Sequence, residues 1–256
     1  MKVSIITVSY NSQETIEQTI VSVLEQTYAN IEYIIVDGKS SDNTMNIVQK
    51  FNSKISKVVS EKDNGIYDAM NKGIGLASGD VIGILNSDDV FANNHVIQDV
   101  VDQLQKTNAL ALYADLVYVD RIDLNKIKRY WNSGTFNRAK FKWGWMPPHP
   151  TVFINKELYH KFGLFNLELR SAADYELMLR FFYKENITPT YLHKVITKMR
   201  VGGESNVTVK NRVNANKEDR KAWKMNNLNP YWFTLYFKPL RKIPQFIFRK
   251  APIKHN

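Results

Sequence analysis

The sequence predicts an α/β fold, a mixed sheet flanked by helices, and three observations carry that expectation. Short apolar runs alternate with stretches of helical periodicity over the first hundred residues, as in parallel strands joined by crossover helices. From about residue 110 the alternation breaks down, which predicts a mixed rather than a purely parallel sheet. The chain has 256 residues, 44% hydrophobic content and no cysteine, a globular composition sized for one large domain or two small ones.

Val3–Ser9 reads as the first strand. A helix from Thr15 to Gln26 follows, with Ile16, Ile20, Val23 and Leu24 on one face. Ser12 is its expected N-cap, and Glu14 falls in the first turn, where the helix dipole favours negative charge. Next come a strand at Tyr33–Asp37, a helix after Asp42, a strand at Ile55–Ser60, a helix from Ile66 to Ala77 and a strand at Val81–Leu85. The later pattern gives a helix at His95–Lys106, strands at Leu110–Tyr118 and Lys126–Tyr130, a Trp/Pro-rich loop from Trp143 to Pro150 and a strand at Thr151–Ile154. A last helix spans Ala172–Glu185, with Tyr175, Met178, Leu179 and Phe182 as its buried stripe. Ser171 and Asp174 form an acidic variant of a capping box before it.

The formal charge of +10 is unevenly placed. Residues 1–205 hold 23 basic and 23 acidic side chains, whereas 206–256 hold twelve basic and two acidic ones. A neutral body argues against a nucleic-acid-binding core, so no nucleic-acid partner is expected. Residues 206–256 also interleave aromatics with prolines, which forbid one long helix. Such short basic-aromatic pieces either address the chain to an anionic membrane surface or fold back over the body. Met1–Thr7 runs straight into a strand without a signal-peptide pattern, so the expected location is the cytoplasm, peripheral to the inner face of the cell membrane.

Several chemistries are excluded by residue type. Without cysteine there is no thiolate site or thiol nucleophile. Gly73-Ile-Gly75 lacks the third glycine of a dinucleotide fingerprint, position 78 being Ser78, and neither a P-loop nor a G-x-S-x-G elbow is present.

Open parallel sheets bind ligands beyond the carboxyl ends of their strands, and two strands here end in acids. One ends at Asp37-Gly38; the other runs into Asn86-Ser87-Asp88-Asp89. Adjacent carboxylates in a crevice repel unless a cation sits between them, and a hard divalent ion, Mg²⁺ or Mn²⁺, fits two carboxylates while leaving positions for water and substrate phosphate. A helix cap or a solvated turn is the alternative reading of Asp88 and Asp89.

The company these acids keep is more specific. Val3–Asn11, Ile34–Thr44, Asp63–Gly73 and Ala77–Asp89 come in fixed order, followed by Pro148–Phe153, Ala172–Glu176 and Gly202–Ser205. Together they resemble the family-2 inverting glycosyltransferases with the GT-A fold, a nucleotide-diphospho-sugar transferase fold. The resemblance covers most of residues 1–205 and implies a catalytic domain there: a nucleotide-sugar-binding half at 1–110, an acceptor half at 111–205, and a basic aromatic tail at 206–256.

The resemblance implies a role for each matched position. Asp37 would read the nucleotide base, with Thr7, Ser9 and Tyr10 lining the nucleoside pocket. Asp63 and Lys72 would flank nucleotide and diphosphate, although Lys72 is equally an i,i+4 partner of Asp68 on a solvated face. Asp88 and Asp89 would hold the metal. Asn86 replaces an acid common in the family, which leaves open which of the two binds. Asp174 takes the place of the general base, with Glu176 as understudy. His149, clamped between prolines, and Trp145 are assigned to the acceptor side; core packing is the alternative for Trp145 and for its neighbours Trp131 and Trp143. Gly202-Gly203 would form a flexible loop closing over the donor.

The activity so implied is hexosyl or N-acetylhexosaminyl transfer, with inversion, from a nucleoside-diphosphate sugar, UDP-linked by preference. The acceptor would be a glycan or lipid-linked hydroxyl in polysaccharide synthesis. The competing readings are a sugar-phosphate nucleotidyltransferase, for which a Gly-rich basic loop is expected where Ser9–Ser12 stands, and a non-enzymatic adaptor acting through the basic tail.

Overall fold

The computed structural model describes residues 1–202, 209–241 and 245. Gly203 and residues 242–256, Gln245 apart, lie outside them, so the expected Gly202-Gly203 loop is described only at Gly202.

The first half of the chain builds a parallel sheet. Strands β1 (Val3–Ser9), β2 (Ile31–Asp37), β3 (Lys57–Ser60) and β4 (Val81–Ile84) stand in the order β3-β2-β1-β4, all parallel. Helices α1 (Ile16–Leu24), α2 (Thr44–Gln49) and α3 (Ile66–Leu76) connect them. Because side chains alternate across a strand, β1 sends Ile6 and Val8 to one face and Val3 and Ile5 to the other. Met70 and Ile74 of α3 cover the first face, and Ile16 and Ile20 of α1 cover the second. Burial on both faces is why these strands read as continuous apolar runs.

The second half adds antiparallel pairings, as the broken alternation predicts. After β5 (Asp89–Phe91) and α4 (Val96–Thr107) come β6 (Ala111–Val119), β7 (Ile127–Trp131), β8 (Phe153–Asn155), α5 (Lys156–Phe162), α6 (Ala173–Met178) and β9 (Thr190–Arg200). Strand β8 lies antiparallel between β4 and β6, β9 runs parallel to β6, and β5 closes the edge antiparallel to β9. The single helix expected at 172–185 is α6 followed by a π-helical segment, Leu179–Lys184. His149–Thr151 forms a 3-10 turn where the expected strand would begin.

Two capping expectations are corrected. The N-cap of α1 is Thr15 rather than Ser12, whose carbonyl accepts from the Thr15 and Ile16 amides in the preceding turn while its hydroxyl pairs with Ser87. Ser171 makes no capping box; its amide and hydroxyl both donate to Glu218.

Glu218 belongs to α7 (Val209–Met225), which with α8 (Thr234–Leu240) makes the largest departure from the expected layout. Trp223 is fully buried, its Nε1 donating to the Tyr175 hydroxyl at 2.9 Å. Asn226 donates to Glu176 at 2.9 Å, and the Lys238 ammonium reaches Asp219 at 2.7 Å while lying 3.8 Å from the centre of the Tyr175 ring. The described part of 206–256 is therefore joined to the body through its own core rather than hung from it as a tail.

Candidate active site

Register brings the first strand ends together. Ser9 pairs with Asp37, and Asp37 with Ser60, so the carboxyl ends of β1, β2 and β3 stand side by side. The buried Asp37 carboxylate accepts from Ser9 Oγ at 3.0 Å, Ser60 Oγ at 2.7 Å, the Ser40 amide at 2.9 Å and Ser40 Oγ at 2.5 Å. Four donors fill a carboxylate's acceptor sites, so Asp37 ties three strand ends and the following loop into one wall. To read a base directly it would have to release one of them.

Asp63 stands beside this wall. A Cβ on Gly38 would lie 2.5 Å from Asp63 Oδ2 and 3.4 Å from the Tyr10 ring, so only glycine at 38 lets the two approach. Asp63 Oδ1 accepts from the Gly65 amide at 2.9 Å. Tyr10 is exposed at the rim. Thr7, by contrast, does not line the pocket: it is fully buried one layer down, its hydroxyl taken by Tyr33 at 3.1 Å. Lys72 bonds Glu61 at 2.9 Å and the Lys62 carbonyl at 3.0 Å, with Asp68 at 3.7 Å. It is thus held by surface acids next to Asp63, and Glu61 chiefly raises its pKa.

The second acidic strand end is less satisfied. Asp89 is completely buried, yet among the described residues neither of its carboxylate oxygens has a hydrogen-bond partner, and Asn86 Oδ1 is in the same condition. Burial, and then the charge of Asp88, push the Asp89 carboxyl well above the usual range; the Arg200 backbone and the Asn86 side chain offset part of the rise without reaching hydrogen-bonding geometry. Burial also raises Asp88, against the pull of Arg200 and Arg121. Two carboxylates beside an unpaired amide oxygen fit a divalent cation that takes its remaining ligands from water and phosphate. Among the described residues no cluster of three or more His, Asp or Glu could hold a metal alone.

Arg200, at the end of β9, is a residue that sequence reasoning passes over. Its buried guanidinium bridges the Asp88 carbonyl, Gln18 of α1 and the Arg121 carbonyl at 3.1 Å. Only tertiary structure brings positions 18, 88, 121 and 200 together, so no local motif marks it.

Asp174 opens α6. Tyr67 of α3 donates to its Oδ1 at 3.1 Å, and among the described residues Oδ2 has no hydrogen-bond partner. Tyr67 stacks on Phe165 at 5.5 Å, and His149 meets the same ring edge-on at 5.9 Å. The His149 Nε2 is enclosed without a partner; burial lowers the ring's pKa, against the pull of Asp174. Burial raises the Tyr118 phenol, Arg129 pulls against the rise, and the charges of Asp89 and Asp174 add smaller contributions to it.

Two expected residues fall outside this crevice. Glu176 is buried in an ion pair with Arg180 at 2.9 Å, with Asn226 on its other side. Two positions after Asp174 on the helix, it points away from it and is no understudy base. Trp145 is core: it meets Phe141, Phe136 and Tyr113 at 5.3 to 6.0 Å, and its Nε1 donates to the Ser133 carbonyl. An open groove of about 560 Å³ lined by Phe136, Tyr191 and His193 shares no residue with the acidic strand ends.

Known proteins with similar sequence and shape place the chain in a family. Residues 4–163 match the model of glycosyl transferase family 2. An uncharacterised glycosyltransferase of Mycobacterium tuberculosis is 32% identical over 180 residues, covering 70% of this chain and 68% of the relative. An Escherichia coli UDP-Glc:alpha-D-GlcNAc-diphosphoundecaprenol beta-1,3-glucosyltransferase is 40% identical over 114 residues, covering 44% of this chain and 45% of that one. Staphylococcus aureus TarS 1–349 in complex with UDP-GlcNAc superposes with a TM-score of 0.68 at 20% identity, over 97% of this chain and 72% of that one. The chain spans 44% of the longer TarS structure. A Pyrobaculum calidifontis mannosyltransferase in complex with GDP-Man and Mn²⁺ gives 0.67 at 18%, over 98% and 71%. The parallel half and the antiparallel additions are those of the GT-A fold, and the chain belongs to glycosyl transferase family 2.

Proposed function

We propose that this glycosyltransferase moves a hexose or N-acetylhexosamine, with inversion, from a nucleoside-diphosphate sugar to a hydroxyl of a lipid-linked glycan, and that it needs a divalent cation. UDP is the preferred nucleotide of the proposal, supported by the name of the Escherichia coli relative, although the Pyrobaculum neighbour holds GDP-Man. The same relative supports a lipid-linked acceptor.

The observation that carries the reading is Asp174, a carboxylate with one oxygen oriented by Tyr67 and the other without a hydrogen bond among the described residues. Inverting transfer needs a base on the face of the sugar opposite the leaving group. Asp174 Oδ2 accepts the proton of the acceptor hydroxyl as its oxygen bonds to the anomeric carbon and the nucleoside diphosphate departs with the electrons of the broken bond. Tyr67 fixes the carboxylate through Oδ1. Ser9, Asp37, Asp63 and Tyr10 form the wall where the nucleoside rests, and Lys72 reaches the diphosphate after exchanging Glu61 for it. Asp88 and Asp89, with Asn86 Oδ1, would hold Mg²⁺ or Mn²⁺, which when bound neutralises charge developing on the leaving diphosphate.

Asp174→Asn tests this assignment, because the amide oxygen still accepts from Tyr67 while the proton acceptor is lost. The expected kcat falls by about 10² to 10⁴ with unchanged melting and unchanged metal-dependent UDP binding. A variant that keeps wild-type kcat excludes Asp174 as the base.

A further inference from the structure

Helix α8 seats its polar side and exposes its apolar one. Thr234 and Leu235 are buried, and Thr234 Oγ1 donates to the Lys142 carbonyl at 2.6 Å. Gly144 has a φ of +72°, and a Cβ there would lie 2.5 Å from the Lys238 amide and 2.8 Å from the Thr234 carbonyl, so α8 is pressed onto the body's backbone. The outward side carries Tyr236, Phe237 and Leu240, all exposed, and the turn before it adds Trp232, 82% exposed. The body contributes Trp143, also exposed, whose ring lies 5.0 Å from Phe233 and 6.0 Å from Phe237. A rigid aromatic face of this kind is held out in water at a cost, which points to a binding surface.

The charge around the face says what covers it. Residues 226–256 contain no Asp or Glu, and the adjoining turn Arg138–Trp143 supplies Arg138, Lys140 and Lys142 without an acid. The Lys142 ammonium sits 4.6 Å from the centre of the Tyr231 ring. Beyond α8 the sequence adds Lys242, Arg249, Lys250 and Lys254. Two copies meeting on this face would bring like charges together, whereas a bilayer with anionic headgroups offers both the opposite charge and the interfacial depth that Trp and Tyr favour. Among the described residues no helix is long and apolar enough to cross a membrane.

We infer that the face formed by Trp143, Trp232, Tyr236, Phe237 and Leu240 docks peripherally on an anionic lipid surface, with Lys140 and Lys142 at its rim. The sequence expectation of membrane binding rests on the tail alone; here the body supplies part of the site. This placement is independent of the sugar-transfer assignment, since none of these residues takes part in the crevice.

Sedimentation of the full chain with phosphatidylcholine vesicles, with and without phosphatidylglycerol, tests the inference. The expected result is binding only to the anionic vesicles, weakened at least tenfold in Trp232→Ser/Tyr236→Ser. Lys140→Gln and Lys142→Gln should each cost roughly fivefold. These side chains are exposed, so unchanged melting and unchanged UDP binding show that the variants are folded. Equal binding to both vesicle types, no binding to either, or undiminished binding by Trp232→Ser/Tyr236→Ser would overturn it, as would a dimer in ultracentrifugation that the same variant dissolves.

Discussion

Replacing Trp223 with alanine removes the largest fully buried side chain in the protein. Its indole packs edge-on against Tyr183 at 5.4 Å and donates to the buried Tyr175 hydroxyl, so two losses combine. Deleting a buried tryptophan costs about 3 to 5 kcal/mol through transfer and cavity, and an unpaired Tyr175 hydroxyl adds about 1 to 3 kcal/mol. For a chain of this size that lowers Tm by on the order of 10 °C or more. Trp223→Phe keeps most of the volume and loses the hydrogen bond, so its cost should fall near the smaller figure. Because Tyr175 neighbours Asp174, the alanine variant should also lose transfer activity below its Tm while still binding nucleotide at the β1–β3 wall. Calorimetry with a nucleotide titration reads both. If Trp223→Ala melts within about 2 °C of wild type, at most about a fifth of the expected loss, α7 is no part of the core.

Three further outcomes follow from the same geometry. Burial and Asp88 raise the Asp89 carboxyl in the folded protein, so between the ordinary value and the raised one the folded state keeps a proton that the unfolded chain releases, and stability falls as pH rises. Asp89→Asn should therefore raise the Tm of the metal-free protein at pH 8 and abolish the gain on adding Mn²⁺ with UDP; a lower metal-free Tm, read by scanning fluorimetry, contradicts the account. Glu32 behaves oppositely: although burial works against it, hydrogen bonds from Ser4 and Ser78 and the charge of Lys2 hold its carboxyl at about 2. Its contribution, about 2 to 3 kcal/mol, is complete above pH 4.5 and is lost as pH falls towards 2, so Glu32→Gln should flatten the acid limb of the stability curve. Glu218→Ala frees the Arg170 and Ser171 amides before α6 at a cost of about 1 kcal/mol, and should lower kcat severalfold with an unchanged donor KM; an unchanged kcat removes Glu218 as a positioning residue.

The parallel half was legible because doubly covered strands are apolar runs and their helices are amphipathic: every element to Leu85 falls within a few residues of its expected place. Strand β5 was not legible, being only three residues long and beginning with a charged residue, Asp89. Strand β9 was missed because its buried and exposed residues come in pairs, the mark of its irregular register with β6 near Ala114–Leu116. Among the candidate acids, Asp37, Asp89 and Asp174 stand at strand and helix ends, Asp88 stands just before β5 and Asp63 in the loop before α3, positions that the motifs mark in sequence. Thr7 and Glu176 show the limit of that reasoning, since adjacency in sequence does not say which face a side chain takes. Arg200 and Glu218 act across distances of about a hundred and about fifty residues, which no local pattern reveals.

The contacts of Glu218, Trp223 and Asn226 with α6 also set an order of events during synthesis. The nucleoside wall is complete once β3 has joined β2, with only about sixty residues made, whereas the helix bearing Asp174 acquires its amide acceptor and its indole lid from residues translated some forty to fifty positions later. A nascent chain therefore carries Asp37, Asp63, Asp88 and Asp89 well before the helix that bears Asp174 has all its partners. The placement of Asp174 thus depends on chain that is translated only after it.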